Sequence, residues 1–148
     1  MCALVTALRR SGYSGKIDAW FSDMDILTIN DVCIPFVKSA LVAFQVDTHF
    51  CAASWDDLNC GNAYFNVILS SECVYREDLF QSHSQCISRL LSKDGLAFVA
   101  AKRYYFGCGG GTIGFSDYCS SFMTVDLVET FENGFSNTRE ILELKAKP

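Results

Sequence analysis

Two short stretches of this chain carry residue types that can do chemistry. Ser70-Ser71-Glu72-Cys73-Val74-Tyr75 follows the apolar run Phe65 to Leu69, and Ala100-Ala101-Lys102-Arg103-Tyr104-Tyr105-Phe106-Gly107-Cys108-Gly109-Gly110-Gly111 follows the apolar run Leu96 to Val99. Glu72 and Tyr75 are three residues apart, so on the first turn of a helix they share a face. A carboxylate and a phenol placed that way can grip a flat, nitrogen-bearing acceptor. The competing reading is a helix cap built on Ser70 or Ser71, and the residues alone leave the two even. The four glycines among positions 107–111 permit backbone angles closed to other residues and let a partner approach the main chain. They also mimic a dinucleotide fingerprint, with Asp126 and Glu129 as the later acid. The spacing opposes that reading, because Lys102 to Phe106 separate the strand from the first glycine, where a phosphate turn needs glycine at once.

Two further positions stand at strand exits. Asp23 follows an apolar strand and can accept from ribose hydroxyls or cap the next helix; taken alone, the cap is the commoner use. Trp55, in Trp55-Asp56-Asp57, can lie on an adenine face or plug the core beside an acidic loop. His83 falls on the apolar face of its segment and His49 lies between Thr48 and Phe50, so neither reads as catalytic. Eight cysteines, at positions 2, 33, 51, 60, 73, 86, 108 and 119, include no CxxC pair and have no histidine at finger-like distance, which excludes a zinc site. Most lie in apolar runs and read as reduced, buried thiols. Cys73 and Cys108 stand at strand exits, and packing is the expected role there too.

The elements that must position these residues follow from periodicity. Residues 3–10 read as a short amphipathic helix, 16–21 and 48–52 as strands, and 26–44 as helical spacing in which Pro35 starts, kinks or interrupts the helix. Residues 65–69 are the strongest strand and 76–91 the clearest helix, with Leu79, His83, Cys86, Ile87, Leu90 and Leu91 on one face. A strand over 95–101, a short helix over 114–123 and strands over 125–130 and 139–145 complete the chain. The last alternates as an antiparallel edge strand should, with Gly134 in the intervening turn. Strands alternating with helices imply an α/β fold, a mostly parallel sheet ending in an antiparallel hairpin, with ligands at the carboxyl ends of its strands.

Composition narrows the function classes. The 148 residues make one domain, 1–148, half of them hydrophobic and 20% charged, so disorder is excluded. A net charge of −5 without a basic run excludes non-specific nucleic-acid binding and suits basic partners. No apolar stretch reaches spanning length and no signal-peptide core is present, so an intracellular location is expected.

Together these segments resemble the protein-histidine methyltransferases, a branch of the seven-strand, S-adenosylmethionine-dependent methyltransferase-like family, collinearly over almost the whole chain. Phe21-Ser22-Asp23 through Val32-Cys33-Ile34-Pro35 resembles the acidic exit of that family's second strand and the following helix. Ser54-Trp55-Asp56 is similar to its Trp loop, and Ser71-Glu72-Cys73-Val74-Tyr75 to its motif after the fourth strand. The run Ala100 to Gly110 is nearly the family's own wording and separates the histidine branch from lysine-directed relatives.

The resemblance implies a Rossmann-like fold with S-adenosylmethionine as cofactor. It implies Asp23 on the cofactor ribose, Trp55 beside the adenine, and Ser70 and Ser71 lining that pocket. Glu72 and Tyr75 become the catalytic pair, with Tyr105, Phe106, Gly109 and Gly110 shaping the substrate entrance and no metal. The implied acceptor is a histidine of a basic large-subunit ribosomal protein, in cytoplasm and nucleus, with no direct nucleic-acid or membrane partner.

The sequence departs from the family in one respect. The central first strand with its Gly-x-Gly-x-Gly cofactor loop is not seen before Ala3 to Arg10, and Asn66 stands where Asp is frequent. The expectation is an N-terminally truncated, incomplete methyltransferase domain with an open strand edge that invites pairing. A catalytically inactive scaffold for a ribosomal protein or chaperone, and a lysine-directed enzyme, remain the alternatives.

Overall fold

The computed structural model describes residues 2–42, 44–132, 134 and 137–147, with side chains from residue 4 onward. The chain divides into two compact units, Met1–Leu58 and Asn59–Pro148.

The first unit is a βαβ crossover with a helix ahead of it. Helix α1 (Cys2–Arg10) ends on Arg9 and Arg10, cations suited to the negative end of its dipole. The Arg9 guanidinium donates to the carbonyls of Tyr13, Gly15 and Gln45, which ties the turn after α1 to the entrance of β2. Strands β1 (Ile17–Asp23) and β2 (Val46–Ala52) pair in parallel along their full length. Between them run a π-helical turn, Thr28–Cys33, and helix α2 (Ile34–Leu41).

The helix expected over 26–44 is therefore two elements, divided just before Pro35, which lies in the first turn of α2 where its missing N–H is harmless. The wider π winding also rotates the apolar positions. Ile29, Val37 and Leu41 are buried, whereas Ile26, Val32 and Phe36 face solvent. Val5, Val37 and Leu41 form the small core, with Ile17, Phe21, Val46 and Phe50 partly buried against it.

The second unit is a four-stranded sheet in the order β3-β4-β6-β5. Strands β3 (Phe65–Ser71) and β4 (Leu91–Lys102) are parallel; β6 (Arg139–Ala146) runs antiparallel to both β4 and β5 (Met123–Phe131). Helix α3 (Phe80–Leu90), led in by the tight turn Glu77–Leu79, connects β3 to β4, and α4 (Thr112–Cys119) precedes β5. Phe80, Ile87, Val99, Phe115, Leu142 and Leu144 lie at the centre of the core.

The expectation that 139–145 is an edge strand is corrected. Its alternation buries Glu140, Leu142 and Leu144 on one face and places β6 inside the sheet, while β5 takes the edge. A register shift between Leu127 and Glu129 leaves Leu127 and Val128 both exposed on that edge. Strand β3 is the outer strand on the other side, with Val67 and Leu69 exposed. All seven described cysteines are free thiols, and burial pushes the Cys119 thiol up to about 12. Cys86 is buried as expected, and so are Cys60 and Cys119, whereas Cys33 and Cys51, whose apolar runs also predict burial, are only partly buried. Cys108 is exposed, against the packing role read for it, because its loop turns it outward between two glycines of positive φ. Cys2 lies outside the residues whose side chains are described.

Candidate functional site

In the first unit the parallel pair ends at Asp23 and Ala52, which face each other in register, and the Ala53 amide donates to the Asp23 carbonyl at 3.0 Å. The Asp23 side chain is exposed, and its Oδ1 accepts from the Asp25 amide at 2.9 Å. The helix cap considered for Asp23 belongs to Asp25, whose carboxylate accepts from the Leu27 and Thr28 amides and the Thr28 hydroxyl; these bonds hold it below the usual carboxylate range. Trp55, half-buried, stands three residues beyond β2 in a turn closed by Ser54 and Asp57, whose side chains bond at 2.7 Å. The structure thus puts Asp23 and Trp55 at one end of one strand pair. An acceptor carboxylate and an indole at that end fit a nucleoside: the first suits vicinal hydroxyls and the second a flat base.

In the second unit, β3 ends at Ser71 and β4 at Lys102, so the Ser70-to-Tyr75 corner and the aromatic-glycine loop leave the sheet at the same end. They are joined. Tyr105 Oη donates to Glu72 Oε2 at 2.6 Å, and the Tyr75 ring packs edge-on against Tyr105 with centroids 6.3 Å apart. The backbone is stitched too: Gly111 N donates to Val74 O at 2.9 Å, and Arg76 bridges to Gly109. Gly110 lies so close to the Val74–Arg76 main chain that a Cβ there would collide with the Val74 carbonyl oxygen and the Tyr75 carbonyl carbon. Gly109 (φ +80°) turns the chain back toward the corner. Phe106 projects almost fully into solvent.

Glu72 itself is in the left-handed region, φ +57°, a conformation that a β-carbon disfavours. Glu72 and Tyr75 are not on a helix turn as the spacing suggested; they stand on an irregular corner that ends before the turn at Glu77. That corner, by bending at Glu72, aims its carboxylate at the loop instead of along the sheet. The second carboxylate oxygen, Oε1, lies 3.9 Å from Arg139 Nε. Burial first, then the hydrogen bond to Glu72, push the Tyr105 phenol up to about 12, so it remains a donor across the physiological range. Ser71 is exposed, whereas the Ser70 hydroxyl bonds His83 Nε2 at 2.9 Å. His83 is a core residue, as its position on the helix face predicts, and burial lowers its pKa to about 4.

Three residues of this end escaped the sequence reading. Glu140, 3% exposed, accepts from Arg103 Nε at 2.7 Å and from the Thr112 hydroxyl. The signal was present, since in Arg139-Glu-Ile-Leu-Glu-Leu-Lys145 the alternation puts a carboxylate on the face shared with Leu142 and Leu144. Among the described residues no cluster of His, Cys, Asp and Glu could hold a metal, and no helix is long and apolar enough to cross a membrane.

No family model matches the chain. It is 33% identical over 88 residues to the histidine protein methyltransferase 1 homolog of Dictyostelium discoideum, covering 58% of this chain and 28% of that protein. The bovine protein of the same description is 44% identical over 48 residues, 32% of this chain and 13% of its own length. The chain thus spans less than a third of the curated relatives it matches. Among solved structures, the N-methyltransferase NodS of Bradyrhizobium japonicum in complex with S-adenosyl-L-homocysteine superposes with a TM-score of 0.65 at 11% identity, over 99% of this chain and 87% of that one. Magnesium protoporphyrin IX methyltransferase of Synechocystis with bound SAM gives 0.64 at 11% identity, over 97% and 77%. The fold is that of the Rossmann-like methyltransferases, and the similarity to the histidine protein methyltransferases read from the motifs is borne out.

Proposed function

We propose that this chain carries the methyl-acceptor site of an S-adenosylmethionine-dependent protein-histidine methyltransferase. The observation that carries the reading is the 2.6 Å bond by which Tyr105 fixes the Glu72 carboxylate at the carboxyl end of β3 and β4. The curated relatives named for histidine methylation, and solved neighbours with SAM or its product bound, support the reaction class and the cofactor.

When bound, S-adenosylmethionine supplies an electrophilic methyl group on a sulfonium. The chain's residues do the rest. Asp23 and Trp55, at the end of the first unit's strand pair, are assigned to the ribose and adenine, and Ser70 and Ser71, at the end of β3, are assigned to cofactor binding on the resemblance. Neutral imidazole, with an unperturbed pKa of about 6.5, is already a nucleophile near neutral pH. The protein's task is therefore orientation and exclusion of water. Glu72 accepts from the ring N–H remote from the reacting nitrogen, which fixes the tautomer, and its charge offsets the imidazolium as it forms. Tyr105 holds that carboxylate still, so its hydroxyl serves Glu72 while its ring, with Tyr75 and the exposed Phe106, forms the apolar lip on which an acceptor peptide lies. Gly109 and Gly110 let the lip approach the corner.

The acceptor is assigned as a basic protein, a large-subunit ribosomal protein being the class implied by the resemblance. It complements the net charge of −5, and a location in cytoplasm and nucleus is assigned on the resemblance alone. Incubation of this protein with methyl-labelled S-adenosylmethionine and ribosomal proteins, followed by hydrolysis and mass spectrometry, tests the reading. Methylhistidine that disappears with Glu72→Gln is expected. Methyl-lysine in its place, or cofactor and ribosomal-protein binding without any transfer, would overturn it in favour of the lysine-directed or scaffold reading.

A further inference from the structure

The loop 104–111 carries Tyr105 and Phe106 of the lip, and a single buried carboxylate reaches both of its ends. Arg103, the residue before the loop, donates to Glu140 Oε1 through Nε at 2.7 Å and through Nη2 at 2.5 Å. Thr112, the residue after it and the first of α4, donates its hydroxyl to the other oxygen, Oε2. Thr112 is fully buried, the Glu140 side chain is 4% exposed, and Arg103 is held further by its own amide on the Thr138 carbonyl at 2.8 Å. Glu140 stands in the middle strand of three, opposite Ala101 of β4 and Thr130 of β5, so its backbone has no freedom to follow a moving loop. A buried charge is stable only while each oxygen keeps its partners. The loop ends must therefore stay where Glu140 puts them, and Tyr105 lies two residues inside one of those ends.

We propose that Glu140 is a positioning residue for the acceptor site: by clamping Arg103 and Thr112 it sets the height of the loop at which Tyr105 meets Glu72. The kinetic part of this inference rests on the proposed function; the structural part does not. A carboxylate serving only to neutralise the part-exposed Arg103 would leave Tyr105 indifferent to the Thr112 bond. A clamp makes Tyr105 respond to either bond, because losing one lets that end of the loop drift. The Tyr105 phenol, raised to about 12 by burial and by its bond to Glu72, reports the drift directly.

The test is carbon-13 NMR of the full chain labelled at the tyrosine ζ-carbon, with the Tyr105 signal identified by Tyr105→Phe. In the parent protein that signal is expected to titrate well above the ordinary tyrosine value, because burial and the bond to Glu72 both raise it. In Glu140→Gln, which keeps the shape and removes the charge, it is expected to fall toward the ordinary value of about 10. Thr112→Val should move it in the same direction by less, and Thr112→Ser should leave it in place. The Thr112 pair decides the matter where Glu140→Gln does not fold. With a histidine-bearing acceptor, Glu140→Gln and Thr112→Val should raise the acceptor KM about tenfold with cofactor affinity unchanged. A Tyr105 titration unmoved in both folded variants, or an equal loss of cofactor and acceptor binding, overturns the clamp. Absence of turnover in the parent protein overturns the proposed function instead, and the NMR arm still decides the role of Glu140.

Discussion

The carboxyl ends of the two parallel strand pairs are built by opposite means. At the end of β1 and β2 the bonds of Asp23 to the Asp25 amide, Asp25 to Thr28 and Ser54 to Asp57 are local, each spanning no more than three residues. At the end of β3 and β4 they join distant segments, Glu72 to Tyr105, Arg103 to Glu140 and Thr112 to Glu140. The first arrangement forms from short-range turn chemistry, and its residues can be changed one at a time. The second exists only in the folded sheet, so its catalytic candidates and its stability are the same network. A small core under the first end and a larger one under the second follow the same division.

The sharpest way to break this contrast is to separate the loop from the corner. Gly110→Ala drives a Cβ into the Val74 and Tyr75 backbone, where neither side can yield. We expect a loss of about 3 kcal/mol in urea unfolding, together with loss of the Tyr105 bond to Glu72. A Gly110→Ala protein of ordinary stability would mean that the two segments are not docked.

Acid sensitivity should be of comparable size and should track the second unit. His83 is buried neutral with its pKa lowered to about 4 from the ordinary 6.5. Between those values the unfolded chain binds a proton that the folded chain refuses. The stability from this group is complete above pH 6.5, falls as the pH is lowered, and is gone near pH 4. The loss is about 3 kcal/mol at most. Replacing His83 with Gln should flatten that part of the pH–stability curve, and an unchanged slope would count against the buried neutral form.

Backbone strain at Glu72 supplies a smaller effect. Both Glu72→Ala and Glu72→Gly remove the carboxylate, yet only Ala keeps a β-carbon at φ +57°. The Gly variant should be the more stable by about 1 kcal/mol, the reverse of the usual order, while both lose methyl transfer. Equally small and the most local is Asp25→Ala, expected to cost about 1 kcal/mol. Its effect on hydrogen exchange should be confined to residues 24–41, with the Tyr105 signal untouched.

What was legible in the sequence follows the same line between local and long-range structure. Strand and helix positions were visible from periodicity because burial on one face imprints the pattern directly, as in the helix carrying His83, Cys86, Ile87 and Leu90. Asp23 and Trp55 were visible as strand exits. The π turn at Thr28–Cys33 was not, since 3.6-residue spacing continues through it on paper while the wider winding turns Val32 and Phe36 to solvent. The strand order escaped because alternation in 139–145 specifies a buried face but not which neighbours the strand acquires. Glu72 and Tyr75 were found by type and spacing, but their placement on a bent corner depends on Tyr105, thirty residues away in sequence from Tyr75. Arg103, Thr112 and Glu140 act through one another, and no short window contains all three.

The account stands or falls on where an acceptor ring is held. A crystal structure of the protein with S-adenosyl-L-homocysteine and a histidine-bearing peptide reads that directly. The prediction is an imidazole nitrogen about 3 Å from the Glu72 carboxylate, with the peptide crossing Tyr105 and Phe106. An imidazole seated away from Glu72, with the Tyr105 bond intact and facing empty solvent, would contradict it.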